Sequence, residues 1–307
     1  MEPNASDIDV VLLSRPHIAV DFVGAIRKHS SAPLLYYGHD VHYLRIEDQL
    51  RMQPADKLLR AECDRVRKLE HGIWKLVDAV YYPSASETRH VREWLDGQSS
   101  TFRAHTIAAY AFDDFPEQPD ANLTDRHDLV FVAGFAHPPN VDAAEWFAHE
   151  VLPLIQKRHP QIHLDLVGSN PSDAVKALHG GPVTVTGFVT DEELSARYAN
   201  ARVVVAPLRF GGGMKGKVIE AMRFGVPCVT TSTGVQGLEQ TADFLAAADT
   251  AEEFAGHVLR LLEDDAAWRR SSAAGQAFVR ASFTEDAQWS EFARELPWTM
   301  TAGEPSP

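Results

Sequence analysis

The stretch Ala206-Pro-Leu-Arg-Phe-Gly-Gly-Gly-Met-Lys-Gly-Lys-Val-Ile-Glu-Ala-Met222 holds the densest set of chemistry-bearing residues in the chain. Consecutive glycines at Gly211, Gly212 and Gly213 let backbone amides approach a ligand closely. Lys215 and Lys217 supply positive charge, and a helix expected to start near Lys217 adds the positive end of its dipole. Together these groups suit a diphosphate. Glu220, one turn into that helix, is an acceptor suited to ribose hydroxyls. The bland alternative is a flexible glycine loop with solvated lysines. Gly211 to Lys217 also fits the G-x-x-x-x-G-K phosphate-loop pattern. Val218 stands where that pattern needs Ser or Thr for magnesium, and the loop follows a late strand, so a phosphate-loop NTPase ranks low.

A second candidate is Leu34-Leu-Tyr-Tyr-Gly-His39-Asp40, with Arg45 downstream. His39 can hydrogen-bond a substrate, and Arg45 can contact acceptor or phosphate; equally, Asp40 can be a simple strand-end cap. His39 and His42 have no third partner in sequence, which disfavours a metal site.

These residues sit at strand ends. In the first half, apolar runs at Val10–Leu13, Leu34–Tyr37 and Val80–Tyr82 alternate with helical spacing at Ala19–His29, Ala55–Val77 and Ser84–Trp94. Such alternation predicts a parallel sheet with crossover helices. Residues 118–128 lack a period and read as a linker. The second half restarts, with strands expected at Leu129–Ala133, Ile162–Val167, Val183–Thr186, Val203–Ala206 and Pro227–Thr230. The helices expected between and after them are Val141–His159, Asp173–Leu178, Asp191–Asn200, Lys217–Phe224, Thr250–Asp264, Ala266–Ala281 and Thr284–Leu296. The expected division is 1–117, the linker, 129–297, and a frayed tail 298–307. The fold class is α/β, with two Rossmann-like doubly wound parallel-sheet domains. Ligands in such sheets bind outside the carboxyl ends of strands.

The chain has 307 residues, 45% hydrophobic, enough for one or two substantial cores. Its 29 basic and 43 acidic residues leave a net charge of −14, which disfavours nucleic-acid binding. Two distant cysteines, Cys63 and Cys228, form no disulfide framework or CxxC site. No signal-peptide pattern and no apolar run of roughly 18 residues is present, so a cytoplasmic protein is expected, peripheral to the inner membrane face at most.

Several blocks together resemble glycosyltransferase family 4. They are Phe131-Val-Ala-Gly-Phe-Ala-His-Pro-Pro-Asn-Val-Asp-Ala143, Val151-Leu-Pro, Leu166-Val-Gly168, Val185-Thr-Gly-Phe-Val189, the Pro207 to Glu220 loop, Gly225-Val-Pro-Cys-Val-Thr-Thr231 and Gly234-Val-Gln-Gly-Leu238. Their order and spacing match the family's donor domain from about Leu129 to Leu296. The resemblance implies a two-domain GT-B enzyme that moves a sugar from a nucleotide-diphosphate-sugar to a hydroxyl acceptor with retention, in polysaccharide or glycoconjugate synthesis. It implies no bound metal or other cofactor.

Carried onto this chain, the resemblance puts Gly134, Phe135 and Asn140 beside the donor diphosphate, and Phe188 and Val189 beside the nucleobase. Gly212, Gly213 and Lys215 or Lys217 attend the phosphates, and Glu220 holds the ribose. His39 and Asp40 would face the transferred sugar. With Lys217 they form the expected catalytic set. Two departures stand out. The family's first glutamate falls at Gly212, and the strand and glycine turn that open the family's first domain have no counterpart before Val10. A first domain lacking its start is therefore expected, completed by self-association or a partner chain. The alternatives are a catalytically impaired nucleotide-sugar-binding homologue or partner subunit, and a GT-B relative that epimerises or cleaves nucleotide-sugars, which the acid-free Pro207–Ile219 run disfavours.

Overall fold

The computed structural model describes residues 8–98, 103–117 and 123–295. They form two α/β units. The first comprises Met1–Ala111, Gly212–Met214 and Phe283–Pro307, and the second Phe112–Gly211 with Lys215–Ser282.

The first unit carries a parallel sheet ordered β1 (Val11–Ser14), β2 (Leu34–Tyr37), β3 (Ala79–Tyr82), β4 (Arg103–Thr106). Its helices are α1 (Pro16–His29), α2 (His42–Met52), α3 (Lys57–Trp74) and α4 (Ala85–Asp96). Pro16 suits the first turn of α1, where its missing N–H costs nothing. Asp56 caps α3 through the Leu59 amide, and Ser84 caps α4 through the Glu87 amide. Alternation along β2 and β3 sends Leu34, Tyr36, Val80 and Tyr82 to one face, against Ala19, Val23, Ile73, Trp74 and Val91. Leu35, Ala79 and Tyr81 face the other way, where Phe292 of α12 (Glu285–Glu295) packs beside them. The Gln288 side chain also donates to the Ala108 carbonyl. The last helix, expected within the second domain, thus belongs to the first unit, because its apolar side fits the face that α1 and α3 leave open.

The second unit holds a six-stranded sheet in the order β10-β9-β8-β5-β6-β7. The strands are β5 (Asp128–Val132), β6 (Leu164–Val167), β7 (Val183–Gly187), β8 (Ala201–Ala206), β9 (Cys228–Thr230) and β10 (Ala246–Ala247). Every pairing is parallel. Buried on both faces, β8 reads as a continuous apolar run apart from Arg202, whose guanidinium reaches the Leu261 carbonyl and Asp265. Helices α5 (Pro138–Trp146), α6 (Leu152–Gln156), α7 (Asp173–Ala177), α8 (Asp191–Asn200), α9 (Gly216–Arg223), α10 (Ala251–Glu263) and α11 (Asp265–Ser282) cover the sheet. The expected helix Val141–His159 is broken by a π turn at Phe147–Val151. Pro153 has no N–H to give one turn back, and the widened turn absorbs that lost bond.

The sheet order reverses around β5, which runs beside β6 on one side and β8 on the other. Such a switch opens a crevice at the carboxyl ends of the two central strands. Gly134 follows β5, and the loop into α9 follows β8. Part of the expected linker is ordered within this unit: Leu123 is buried in its core, and Arg126 donates to the Tyr198 and Ala201 carbonyls. Residues 118–122 and the expected tail 298–307 lie outside the described residues. No helix among the described residues is long and apolar enough to cross a membrane.

Candidate functional site

In the second unit the switch-point crevice brings Gly134, Asn140, Lys215 and Lys217 together. Asn140, buried on the first turn of α5, donates through Nδ2 to the Gly134 carbonyl at 2.8 Å. Its Oδ1 accepts from Lys217 Nζ. One amide side chain therefore ties the turn after β5 to the head of α9. Lys217 also lies 5.0 Å from the centre of the Phe131 ring. Burial pushes its amine down to about 7, helped by the neighbouring charge of Lys215. Lys215 is itself buried, donating to the Gly211 carbonyl at 3.3 Å and to Gln236 Oε1 at 3.0 Å. Two ammonium groups in one low-dielectric place repel each other, and an anion relieves that repulsion.

Glu220 stands one turn along α9. Its Oε2 accepts from the Tyr198 hydroxyl at 2.8 Å, and Tyr198 stacks on Phe224 with ring centres 4.4 Å apart. Phe188, after β7, is 80% exposed, an aromatic face open to a stacking partner. Val189 beside it is half-buried. Phe135 differs from its expected role: its ring is wholly buried against Phe131, and only its backbone remains for contact with a ligand.

In the first unit, His39 and Asp40 follow β2. His39 keeps a solvent-facing side, and desolvation of the rest of its ring together with the Arg15 charge lowers its pKa. Asp40 is not a free base. Its Oδ1 lies 2.9 Å from His42 Nδ1 and its Oδ2 2.8 Å from Arg45 Nε. Arg45 is thereby committed to Asp40. His42 also faces Glu70 at 3.5 Å. Burial alone disfavours its imidazolium, but Asp40 and Glu70 outweigh that and raise its pKa to about 10.

Sequence reasoning missed what holds this loop. Glu70 on α3 is fully buried and accepts the backbone amides of His42 at 3.0 Å and Tyr43 at 3.1 Å. Glu87 on α4 accepts the Val41 amide at 2.9 Å. Two carboxylates from other helices thus satisfy the orphan donors at the head of α2, which has no cap of its own. The available signal was a charged residue at core spacing, Glu70 between Val66 and Ile73.

Gly212 and Gly213 cluster within the first unit by contact. A Cβ at Gly212 would come within 2.8 Å of Asp40 Oδ2, and one at Gly213 within 2.7 Å of the His39 carbonyl. An acid at Gly212 would also face the Asp40 carboxylate, a physical reason for the glycine where the resemblance leads one to expect glutamate. Among the described residues no group of three or more His, Cys, Asp or Glu could hold a metal ion.

Residues 126–264 match the family model for Glycosyl transferases group 1. This stretch is a group 1 glycosyl transferase domain. It contains the Gly134 turn, Asn140, Lys217 and Glu220. Over 95 residues the chain is 34% identical to an O-antigen chain mannosyltransferase B of Escherichia coli, covering 31% of this chain and 24% of that protein. Over 175 residues it is 23% identical to a 44.6 kDa protein in the cps region of Klebsiella pneumoniae, covering 54% and 45%. The chain thus matches less than half the length of these relatives.

Solved structures show the GT-B fold. A sucrose-phosphate synthase from Thermosynechococcus elongatus superposes with a TM-score of 0.70 at 21% identity, covering 93% of this chain and 72% of that one. A UDP-forming α,α-trehalose-phosphate synthase from Burkholderia xenovorans gives 0.71 at 12%, covering 96% and 76%. An Anabaena protein solved with UDP and glucose gives 0.67 at 17%, covering 95% and 78%.

Proposed function

We propose that the group 1 domain binds a nucleotide-diphosphate-sugar and that the chain transfers the sugar to a hydroxyl acceptor with retention, in polysaccharide or glycoconjugate synthesis. The observation that carries this is the Gly134–Asn140–Lys217 tie at the head of α9, with Lys215 buried nearby. The relatives named for O-antigen and the cps region support the glycan class, and the Anabaena protein solved with UDP supports the donor class.

In this reading the diphosphate lies against Gly134, the lysines and the α9 N-terminus, with Glu220 on the ribose and Phe188 and Val189 beside the base. As the bond from sugar to phosphate breaks, negative charge grows on the leaving diphosphate. Lys217, Lys215 and the helix-end amides stabilise it there, in an already arranged and partly dry setting. The acceptor hydroxyl attacks from the same face, and the departing phosphate takes its proton. No protein nucleophile and no metal is required. Asp40, neutralised by Arg45 and His42, serves to hold the His39 loop. The protein works in the cytoplasm, peripherally at the inner membrane face if its acceptor is lipid-linked.

The test is incubation with a panel of nucleotide-sugars and candidate glycan or lipid-linked acceptors, with the anomeric configuration of the product read by NMR. Nucleotide binding without transfer or donor hydrolysis would overturn the transferase reading and leave a nucleotide-sugar-binding partner subunit.

A further inference from the structure

The second unit has another recess, apart from the switch-point crevice. A cavity of about 290 Å³ lies between α10, α11 and the edge strand β10, with Cys228 in its wall. Cys228 opens β9, and residues 242–246 lead into β10, so the cavity sits at the amino ends of these parallel strands. Lys217 and Gly134 stand at the carboxyl ends. One sheet therefore carries a recess at each end.

The cavity gathers cations from two helices. His257 and Arg260, one turn apart on α10, line it together with Arg270 and Ser271 of α11. Arg260 and Arg270 are exposed, and neither makes an ion pair among the described residues. Asp264 senses both charges, but its carboxylate caps α11 through the Ala267 amide at 2.9 Å. Two guanidinium groups at one recess repel each other, and an incoming anion relieves that repulsion. The planar fork of each suits the paired oxygens of a phosphate.

The remaining wall indicates what the phosphate is attached to. Asp243 and Ser271 offer hydrogen-bonding groups for hydroxyls. Phe244, its ring 5.9 Å from that of Phe278, supplies an apolar side. An aromatic side next to hydroxyl-bonding groups fits the mixed surface of a sugar ring. The volume lies at the small end of ligand pockets, which run from about 300 to 1,000 Å³, and suits a monosaccharide phosphate better than a nucleotide-sugar. Pro116 is held on the other flank of α11, where Gln276 and Arg280 donate to its carbonyl, so the recess is not the seat of that segment.

We propose that this cavity binds a phosphorylated monosaccharide, with the phosphate on Arg260, Arg270 and His257 and the sugar hydroxyls on Asp243 and Ser271. This does not rest on the transferase reading. Mannose 6-phosphate and inorganic phosphate serve as probes in calorimetry of the full chain. The sugar phosphate should bind at least tenfold tighter than inorganic phosphate. Arg260→Gln and Arg270→Gln should each weaken it about tenfold, with the melting temperature unchanged because both positions are exposed. Asp243→Ala should weaken mannose 6-phosphate and spare inorganic phosphate. Lys217→Met, in the donor crevice, should leave both unchanged. Binding that survives the double arginine variant, or that is lost in Lys217→Met, would overturn the proposal. So would inorganic phosphate binding as tightly as the sugar phosphate.

Discussion

The Tyr198 hydroxyl donates to Glu220 Oε2 across 2.8 Å, from a ring fully buried and stacked on Phe224. The bond fixes the Glu220 carboxylate and leaves Oε1 for a ligand. Tyr198→Phe keeps the stack and removes the donor. It should raise KM for the nucleotide-sugar roughly 3- to 10-fold, the scale of one ordinary net hydrogen bond, since the bond acts on the ligand only through Glu220, with kcat nearly unchanged. Glu220→Gln should cost more. A Tyr198→Phe variant with unchanged KM and a lower melting temperature would reduce the bond to a structural one.

Lys217 predicts proton uptake on binding. Its pKa near 7 leaves the amine largely neutral in the unliganded protein on the alkaline side of that value. A diphosphate beside it favours the ammonium. Calorimetry at about pH 8, in buffers of different ionisation heat, should show uptake of up to about one proton per nucleoside diphosphate. Lys217→Met should abolish it. The same shift has a stability sign: the folded state binds fewer protons between the two values, so Lys217 weakens the unliganded fold progressively as pH falls from 10.5 to about 7 and no further below that.

His42 acts in the opposite direction. Its pKa is raised from 6.5 to about 10, so its pairing with Asp40 and Glu70 stabilises fully below 6.5 and is lost as pH rises through about 10. The urea midpoint of the wild type should therefore fall across that window. His42→Gln should flatten the fall, and an identical alkaline limb in both proteins would place its cause elsewhere.

Gly38 has no room for a side chain. A Cβ there would meet the Tyr82 ring at 2.2 Å, while the Tyr82 hydroxyl accepts from Trp74 Nε1. Gly38→Ala should destabilise the first unit by about 1–3 kcal/mol, the usual cost of overpacking. Combining it with Tyr82→Leu should recover part of that loss in urea titrations. Additive losses would show that the strain lies in the backbone.

Because lysines and helix-end amides carry the phosphate charge in the proposed mechanism, transfer should survive a strong chelator. Loss of activity with EDTA and its return with one divalent cation would show that a metal shares the work.

Much of the fold was legible from pattern alone. The runs around Leu34, Val80, Leu129, Val183 and Val203 are apolar and β-branched or aromatic, and each forms a strand within a residue or two of its expected limits. What escaped lacks such local marks. The strand Arg103–Thr106 is Arg-Ala-His-Thr, with no apolar run. Helix α2 starts after Val41, a poor cap, and its amides are satisfied by Glu70 and Glu87 from other helices. In the candidate site, Lys217 and Glu220 stood out by their place after a strand, whereas Gly134 and Asn140 entered only through the family resemblance. Tyr198 was not legible, since it lies on a polar helix and meets Glu220 only through tertiary packing. Phe135 shows the converse, a motif position whose ring turns into the core.

The distant capping of α2 also governs when that helix can form. Its partners for the amides of Val41, His42 and Tyr43 lie 46, 28 and 27 residues further along the chain. During synthesis the His39 loop therefore has no finished shape until residue 87 has left the ribosome. The two carboxylates must then enter the interior together with the donors that satisfy them, because either alone would be a buried, unpaired charge. Closure of this corner is an all-or-none event, and a nascent chain paused before α4 would emerge with its β2 end unset.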